Sequence, residues 1–311
     1  MKFALVVIVM LAAVVIAAGP QPQFKAGVEV VYLDVTVQAP DGSIVRGLTK
    51  DDFLIYDEDV LQDVAVFSAE PAPISVAVLI DTSGSMTGER MGAAIRAADA
   101  LGRSLQPNDL WSISTFDSTR RTMIGWRPYN AGIVNSLRAM PTSGSTELFK
   151  SVADMVPFMQ DTPHRKRAML LMTDGVDNSI IAASRDGVGN PFEAPGPLAS
   201  SAKAEEALRS GEVLLYALGI NAAQRAGTVH VPSLQRLAEP TGGAVMIAST
   251  IREVESAAQR VAEELRQQYT LGFNPQSDSE RQYHRVRVTT RHPDYRVRTR
   301  AGYLTTRPKQ G

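Results

Sequence analysis

The hydrophobic pattern of the chain changes period twice and so divides it into three. Residues 28–38, VEVVYLDVTVQ, are rich in β-branched side chains and stop at the turn pair Asp41-Gly42, which predicts a strand and the start of a hairpin. DFLIYDEDVLQDVAVFS continues in the same manner, so residues 24–70 read as a small all-β segment. EPAPI, residues 70–74, is a stiff proline-punctuated linker.

From Ile74 onward, short apolar runs alternate with helical patterns. ISVAVLI is apolar throughout, as a strand buried on both faces must be. The helix pattern MGAAIRAADALGRSL follows, then the strands DLWSISTF and RTMIGW. Helices near 130–139 and 146–160 come next, before the strand AMLLMTD. The helix SAKAEEALRSG, the strand VLLYALGI, a short helix around PSLQRLAEPTGG, the strand AVMIA and the helix IREVESAAQRVAEELRQQ complete the series. Strands alternating with helices predict an α/β fold, with a doubly wound, mostly parallel sheet covered by helices on both faces.

After Gln268 the pattern returns to β. In YHRVRVTTRHPDYRVRTR, Val286 and Val288 alternate with Arg285 and Arg287, and HPD predicts a turn into a returning strand. Residues 267–305 therefore read as a C-terminal hairpin. The N-terminal β segment carries Asp51, Asp52, Asp57, Glu58, Asp59 and Asp63, while the C-terminal one carries Arg281, Arg285, Arg287, Arg291, Arg296, Arg298 and Arg300. Opposite charges across strands favour one pairing over another. The two ends are expected to form one small β-sandwich-like domain beside an α/β domain over 71–266.

Composition then bounds the function. Lys and Arg number 32 against 33 Asp and Glu in 311 residues, a formal charge of −1, so no global field favours nucleic acid. The arginine run has no aromatic platform or binding motif beside it, and a nucleic-acid partner is not expected. Residues 1–18 join Lys2 to an uncharged apolar run ending before Gly19-Pro20, the layout of a secretory signal peptide. Cleavage is expected after Ala18, the alternative being an uncleaved anchor that is the chain's one link to a membrane. Cysteine is absent, which excludes disulfides, thiolate metal sites and thiol nucleophiles. An exported protein without disulfides fits a bacterial envelope: periplasmic, cell-surface or secreted.

The chemistry gathers where predicted strands end. DTSGS places Asp81, Ser83 and Ser85 after the first α/β strand, TDG places Asp174 after the fourth, and SGSTEL brings Thr146 to a helix start. Each has a structural reading as a turn or a cap, with Ser85 capping a helix over 86–104. Ligands of open α/β sheets bind outside the carboxyl ends of the strands. Two carboxylates and three hydroxyls brought together there form an all-oxygen set suited to a hard divalent cation, Mg²⁺ before Mn²⁺ or Ca²⁺.

This arrangement resembles the metal-ion-dependent adhesion site of von Willebrand factor type A domains: Asp-x-Ser-x-Ser, then a Thr, then an Asp, each after its own strand. The order of elements over 74–266 matches as well. The resemblance implies that Ser83, Ser85 and Thr146 contact the ion through hydroxyls and Asp81 and Asp174 directly or through water. It also implies a protein partner that completes the shell with a carboxylate. The export signal and the flanking DDFLIYDED and YTLGFNP segments further resemble bacterial von Willebrand factor A-related proteins of the kind abundant in Acidobacteria. Two departures are Ser145, where many relatives have Gly, and the long Gly/Pro-rich loop 178–202.

Enzyme readings fit less well. Phosphotransferases of the haloacid dehalogenase type need a second Asp two residues after the nucleophile, where this chain has Ser83, which cannot shuttle a proton near neutral pH. TSGSM lacks the Gly-x-Ser-x-Gly elbow, and His164, His230, His284 and His292 have no recognisable partner pattern. His164 reads as a solvated loop residue. The sequence therefore predicts an exported, metal-dependent binding module with no catalytic residues. The alternatives are a structural or vestigial ion with the β domain making the contacts, and a metal-dependent phosphohydrolase.

Overall fold

The computed structural model describes residues 30–134, 137, 141–174, 177, 199–221, 229–275 and 283–305. The expected signal segment 1–18 and nearly all of the 178–202 loop lie outside the described residues. Four strands precede the α/β region: β1 (Val31–Gln38), β2 (Phe53–Asp57), β3 (Val60–Gln62) and β4 (Val66–Ser68). Then come β5 (Ile74–Asp81), α1 (Glu89–Ser104), β6 (Leu110–Phe116), β7 (Arg120–Arg127), α2 (Ala131–Val134) and α3 (Leu148–Gln160). They are followed by β8 (Lys166–Thr173), α4 (Ala199–Gly211), β9 (Leu214–Ile220), α5 (Val231–Ala238), β10 (Val245–Ala248) and α6 (Ile251–Gln267). The chain closes with β11 (Tyr269–Phe273), β12 (Tyr283–Thr290), β13 (Arg296–Arg298) and β14 (Gly302–Leu304).

The central sheet has the order β10-β9-β8-β5-β6-β7, parallel except for the edge strand β7, which turns back on β6. Every residue of β5 is buried, because both its faces are covered. Val76, Val78 and Ile80 pack with α1 and α6, while Ala77 and Leu79 pack with α3, α4 and α5. The chain leaves β5 toward β6 and β7, then crosses back to β8 on β5's other side. That reversal of strand order opens a crevice between the carboxyl ends of β5 and β8.

The two β ends do combine, through the sheets β13-β1-β11-β4 and β14-β12-β2-β3, which enclose a core that includes Leu33, Val35, Phe53, Ile55, Leu271, Phe273, Val288 and Tyr303. The strand YRVRTR, expected to return on β12, does not pair with it. Strand β12 pairs with β2 and β14, whereas β13 pairs with β1 in the opposite sheet. One small core must be covered from both sides, and β13 protects an edge of β1 that a local hairpin would leave open. The predicted charge pairing is present, with Arg285 3.2 Å from Glu58 and Arg287 3.5 Å from Asp59. These arginines are solvent-exposed, so such bridges contribute little, and the shared apolar core sets the pairing.

This β layer meets the α/β layer at the amino ends of its strands. Arg165, just before β8, donates to Asp34 of β1 at 2.7 Å, and Gln38 donates to Glu264 of α6 at 3.2 Å. Burial pushes the Asp34 carboxyl up, but the cations of Lys166 and Arg165 outweigh it and hold the group below its usual range. The opposite ends of the strands, roughly 23 Å away along β5, carry the candidate site.

Candidate functional site

At the tip of β5 the chain must turn from a buried strand into a helix, and Asp81 makes that turn. Its Oδ1 accepts from the backbone N–H of Ser83 at 2.8 Å. Its Oδ2 accepts from the Thr173 hydroxyl at 2.7 Å, across the β5–β8 crevice. Thr82 ties the turn to β6, its N–H and Oγ1 both donating to Phe116 O at 2.7 and 2.9 Å. The following 3₁₀ turn, Gly84–Met86, drops Met86 into the core and leaves Ser85 facing solvent.

The hydroxyls then form a chain. Ser83 Oγ lies 3.1 Å from Ser85 Oγ, which donates to Asp174 Oδ1 at 2.7 Å. Asp81, Ser83 and Asp174 are all buried. Burial pushes the Asp81 carboxyl from 3.8 up to about 6, with the negative charge of Asp174 adding to the rise against the hydrogen bonds from Thr173 and Ser83. A buried carboxylate this short of positive charge attracts a cation or a proton.

The capping readings do not survive. Helix α1 starts at Glu89, with Gly88 (φ 77°) at its cap position, so Ser85 does not cap it. Helix α3 starts at Leu148, so Thr146 also stands outside the cap position. Thr146 is buried, and its loop is clamped over the strand tips by backbone bonds. Ser143 N–H donates to Thr82 O at 2.9 Å, Gly84 N–H to Gly144 O at 3.4 Å, and Glu147 N–H to Asp117 O at 2.9 Å. Gly144 supplies the φ of 87° that the bend requires. Four of the five sequence-predicted residues, Asp81, Ser83, Ser85 and Asp174, are thus joined by hydrogen bonds, and Thr146 lies buried in a loop that its neighbours tie to the same strand tips.

Four further residues build the site and escaped the sequence reading. Thr173 orients Asp81. Asp117, at the β6 tip, holds the Thr146 loop through its carbonyl, while its carboxylate accepts from Thr119 N–H at 3.0 Å and Arg121 at 2.9 Å. Asp177 accepts from Phe149 N–H at 3.0 Å, serving as a cap for α3 from another strand tip. Arg90, on α1, bonds Asp174 Oδ2 and also donates to Ser85 O at 2.6 Å. The one available signal was spacing: Asp177 follows Asp174 within DGVDN, and Arg90 is a cation in a first helical turn. Asp177→Ala is expected to cost about 1–2 kcal/mol in urea unfolding, because it leaves the α3 start without its acceptor.

The histidines lie apart from this network. His164 is half-buried with Nδ1 2.9 Å from Ser75 Oγ, at the amino end of β5 rather than in a solvated loop. His230 pairs with Ser233 Oγ at 2.6 Å, and burial holds its imidazole below the usual range. Among the described residues no group of three or more His, Cys, Asp or Glu could hold a metal. A cation here would have to rest on two carboxylates and hydroxyls.

Comparison with known proteins agrees with this architecture. Residues 76–176 match the von Willebrand factor type A domain family, a segment that contains all five candidate residues. No curated protein matches the chain. Among solved structures, the chain is similar to a von Willebrand factor type A protein from Catenulispora acidiphila, at 13% identity and TM-score 0.51, covering 88% of this chain and 74% of that one. It is also similar to BatB from Bacteroides thetaiotaomicron, at 15% identity and TM-score 0.47, covering 61% of this chain and 98% of that one. The von Willebrand factor domain of the type V pili tip protein Mfa5 from Porphyromonas gingivalis gives 13% identity and TM-score 0.49, covering 63% and 95%.

Proposed function

We propose that this chain, whose residues 76–176 match the von Willebrand factor type A domain family, is an exported module that binds a partner protein through a divalent cation. Asp81, Ser83, Ser85, Thr146 and Asp174 would hold the ion, and an acidic side chain of the partner would complete its shell. The observation that carries this reading is the unbroken run of oxygen donors from Ser83 through Ser85 to Asp174 beside the buried Asp81.

The donor set fits Mg²⁺. Oxygens around an octahedral Mg²⁺, with bonds of about 2.1 Å, stand about 3 Å apart. Ser83 Oγ, Ser85 Oγ and Asp174 Oδ1 stand at 3.1 and 2.7 Å. Mn²⁺ could take the same positions, whereas Ca²⁺ needs more and longer bonds. Two protein carboxylates would balance the ion's charge, and the exposed Ser85 side leaves access for a third carboxylate from outside. The bound ion would supply a localised positive charge to that ligand. The chain's own part is to keep the hydroxyls fixed, through the Met86 anchor and the Thr82, Asp117 and Asp177 bonds, so that little order is lost on binding.

Export rests on the N-terminal pattern, and a binding role rather than catalysis rests on Ser83 standing where a proton-shuttling carboxylate would be needed. The test is a pull-down from bacterial envelope with the full chain as bait, with Mg²⁺ in one arm and chelator in the other. Partner capture is expected in Mg²⁺ and is lost in chelator. Equal capture in both arms would mean that the ion plays no part and that the contacts lie elsewhere, as on the β layer.

A further inference from the structure

Among the described residues Arg90 is the one cation bonded to either carboxylate of the proposed donor set, Asp81 or Asp174. Its Nη1 bonds Asp174 Oδ2 while Ser85 Oγ takes Oδ1, so both oxygens of this buried carboxylate are engaged. The same Nη1 donates to Ser85 O at 2.6 Å, which lays the guanidinium over the turn that carries the serine ligands. We propose that Arg90 is a resident counter-ion for Asp174, which a divalent cation must displace, so that ion loading exchanges one positive group for another. This inference rests on the metal-binding reading of the strand tips.

Three observations say that the seat is made to be vacated. One nitrogen serves both acceptors, and Nε is buried without a hydrogen-bond partner, so the guanidinium is incompletely satisfied where it lies. Arg90 is the second residue of α1, the end of a helix at which a positive charge is disfavoured, so Asp174 is what holds it there. Its side chain remains 14% exposed against 1% for Asp174, so the arginine can swing into water while the carboxylate cannot.

The exchange has a physical purpose. A buried carboxylate left unpaired is costly, and a site built of two of them would weaken the fold whenever the ion is lost. With Arg90 present, Asp174 is neutralised in both states. The consequence is a lower ion affinity than the donors alone would give, because the ion competes with a tethered cation.

Titration calorimetry of MgCl₂ into metal-free full-length protein tests this, with R90Q as the variant and R90M, which keeps an aliphatic stem, as a second should R90Q not fold. The variant is expected to bind Mg²⁺ about tenfold or more tightly than the wild type, the scale of one coupled charge. Its metal-free form is expected to melt lower, and its melting temperature to rise more on adding Mg²⁺. If the wild type binds Mg²⁺ and the folded variant binds it equally or more weakly, the counter-ion role is overturned while the metal site stands. If neither folded protein binds Mg²⁺, the metal reading fails and takes this inference with it.

Discussion

Replacing Asp81 with alanine is expected to abolish Mg²⁺ binding, seen as a loss of calorimetric heat and of any Mg²⁺-dependent rise in melting temperature. Partner capture should be lost with it, while the circular dichroism of the folded chain is retained. The carboxylate lies at the centre of the crevice, linked to β8 through Thr173 and to the serine turn through Ser83 N–H. Without it, one of only two negative charges in the donor set disappears, and with it much of the attraction for a divalent ion. The fold is spared because two effects oppose each other. Thr173 Oγ1 and Ser83 N–H lose an acceptor, at about 1–3 kcal/mol for each group left unsatisfied. Against that, a buried charge whose carboxyl is already pushed up to about 6 is removed. Undiminished Mg²⁺ binding by a folded Asp81→Ala protein would rule the strand tips out as the ion site.

The largest effect on stability is expected from Gly243→Ala, a loss of about 4 kcal/mol or more in urea unfolding, or failure to fold. A Cβ at this position would stand 1.8 Å from Leu215 O and 2.6 Å from its carbonyl carbon. Those atoms belong to β9, which is buried along its whole length and cannot move aside. The neighbouring Gly242 has φ 86°, and a Cβ there would meet the backbone of Thr299 and Arg300 at 2.7–2.9 Å. Nearby, Ala301 N–H donates to Pro240 O at 2.8 Å. The glycine pair is where the β layer's last turn and the α/β sheet approach backbone to backbone. A loss below about 1 kcal/mol would show that this approach is looser than the structure gives.

The placement of Asp81 and Asp174 at strand ends was legible because a local signal and a topological rule coincide there. ISVAVLI could only be a strand covered on both faces, so DTSGS had to sit at its carboxyl end, and the same argument placed Asp174 after AMLLMTD. Arg90, Asp117 and Asp177 were not legible. Their partners lie in other segments, Asp174 for Arg90, the Thr146 loop for Asp117 and Phe149 for Asp177. Neither the DGVDN spacing nor a cation in a first helical turn names so distant a partner. Ser85 shows a local signal overruled. Serine before a helical pattern is ordinarily a cap, yet the 3₁₀ turn that buries Met86 moves the start of α1 to Glu89 and frees the hydroxyl.

The β ends divide in the same way. Alternation of valine and arginine in β12 determined which of its sides is buried, because a strand's side-chain period depends on nothing but the strand. Which strand lies beside it did not follow, since HPD is as good a corner between two sheets as a turn within one. Closing one core around both chain ends sent β13 to β1 instead of β12. The sequence by itself determined the order and type of the elements and the donor atoms at their tips, since these follow from local periodicity and residue chemistry. The tertiary structure alone decided the β13 crossover, the seat of Arg90 on Asp174 and the need for glycine at 242 and 243. Each of these depends on two distant backbones or charges being brought within a few ångströms, which no local pattern encodes.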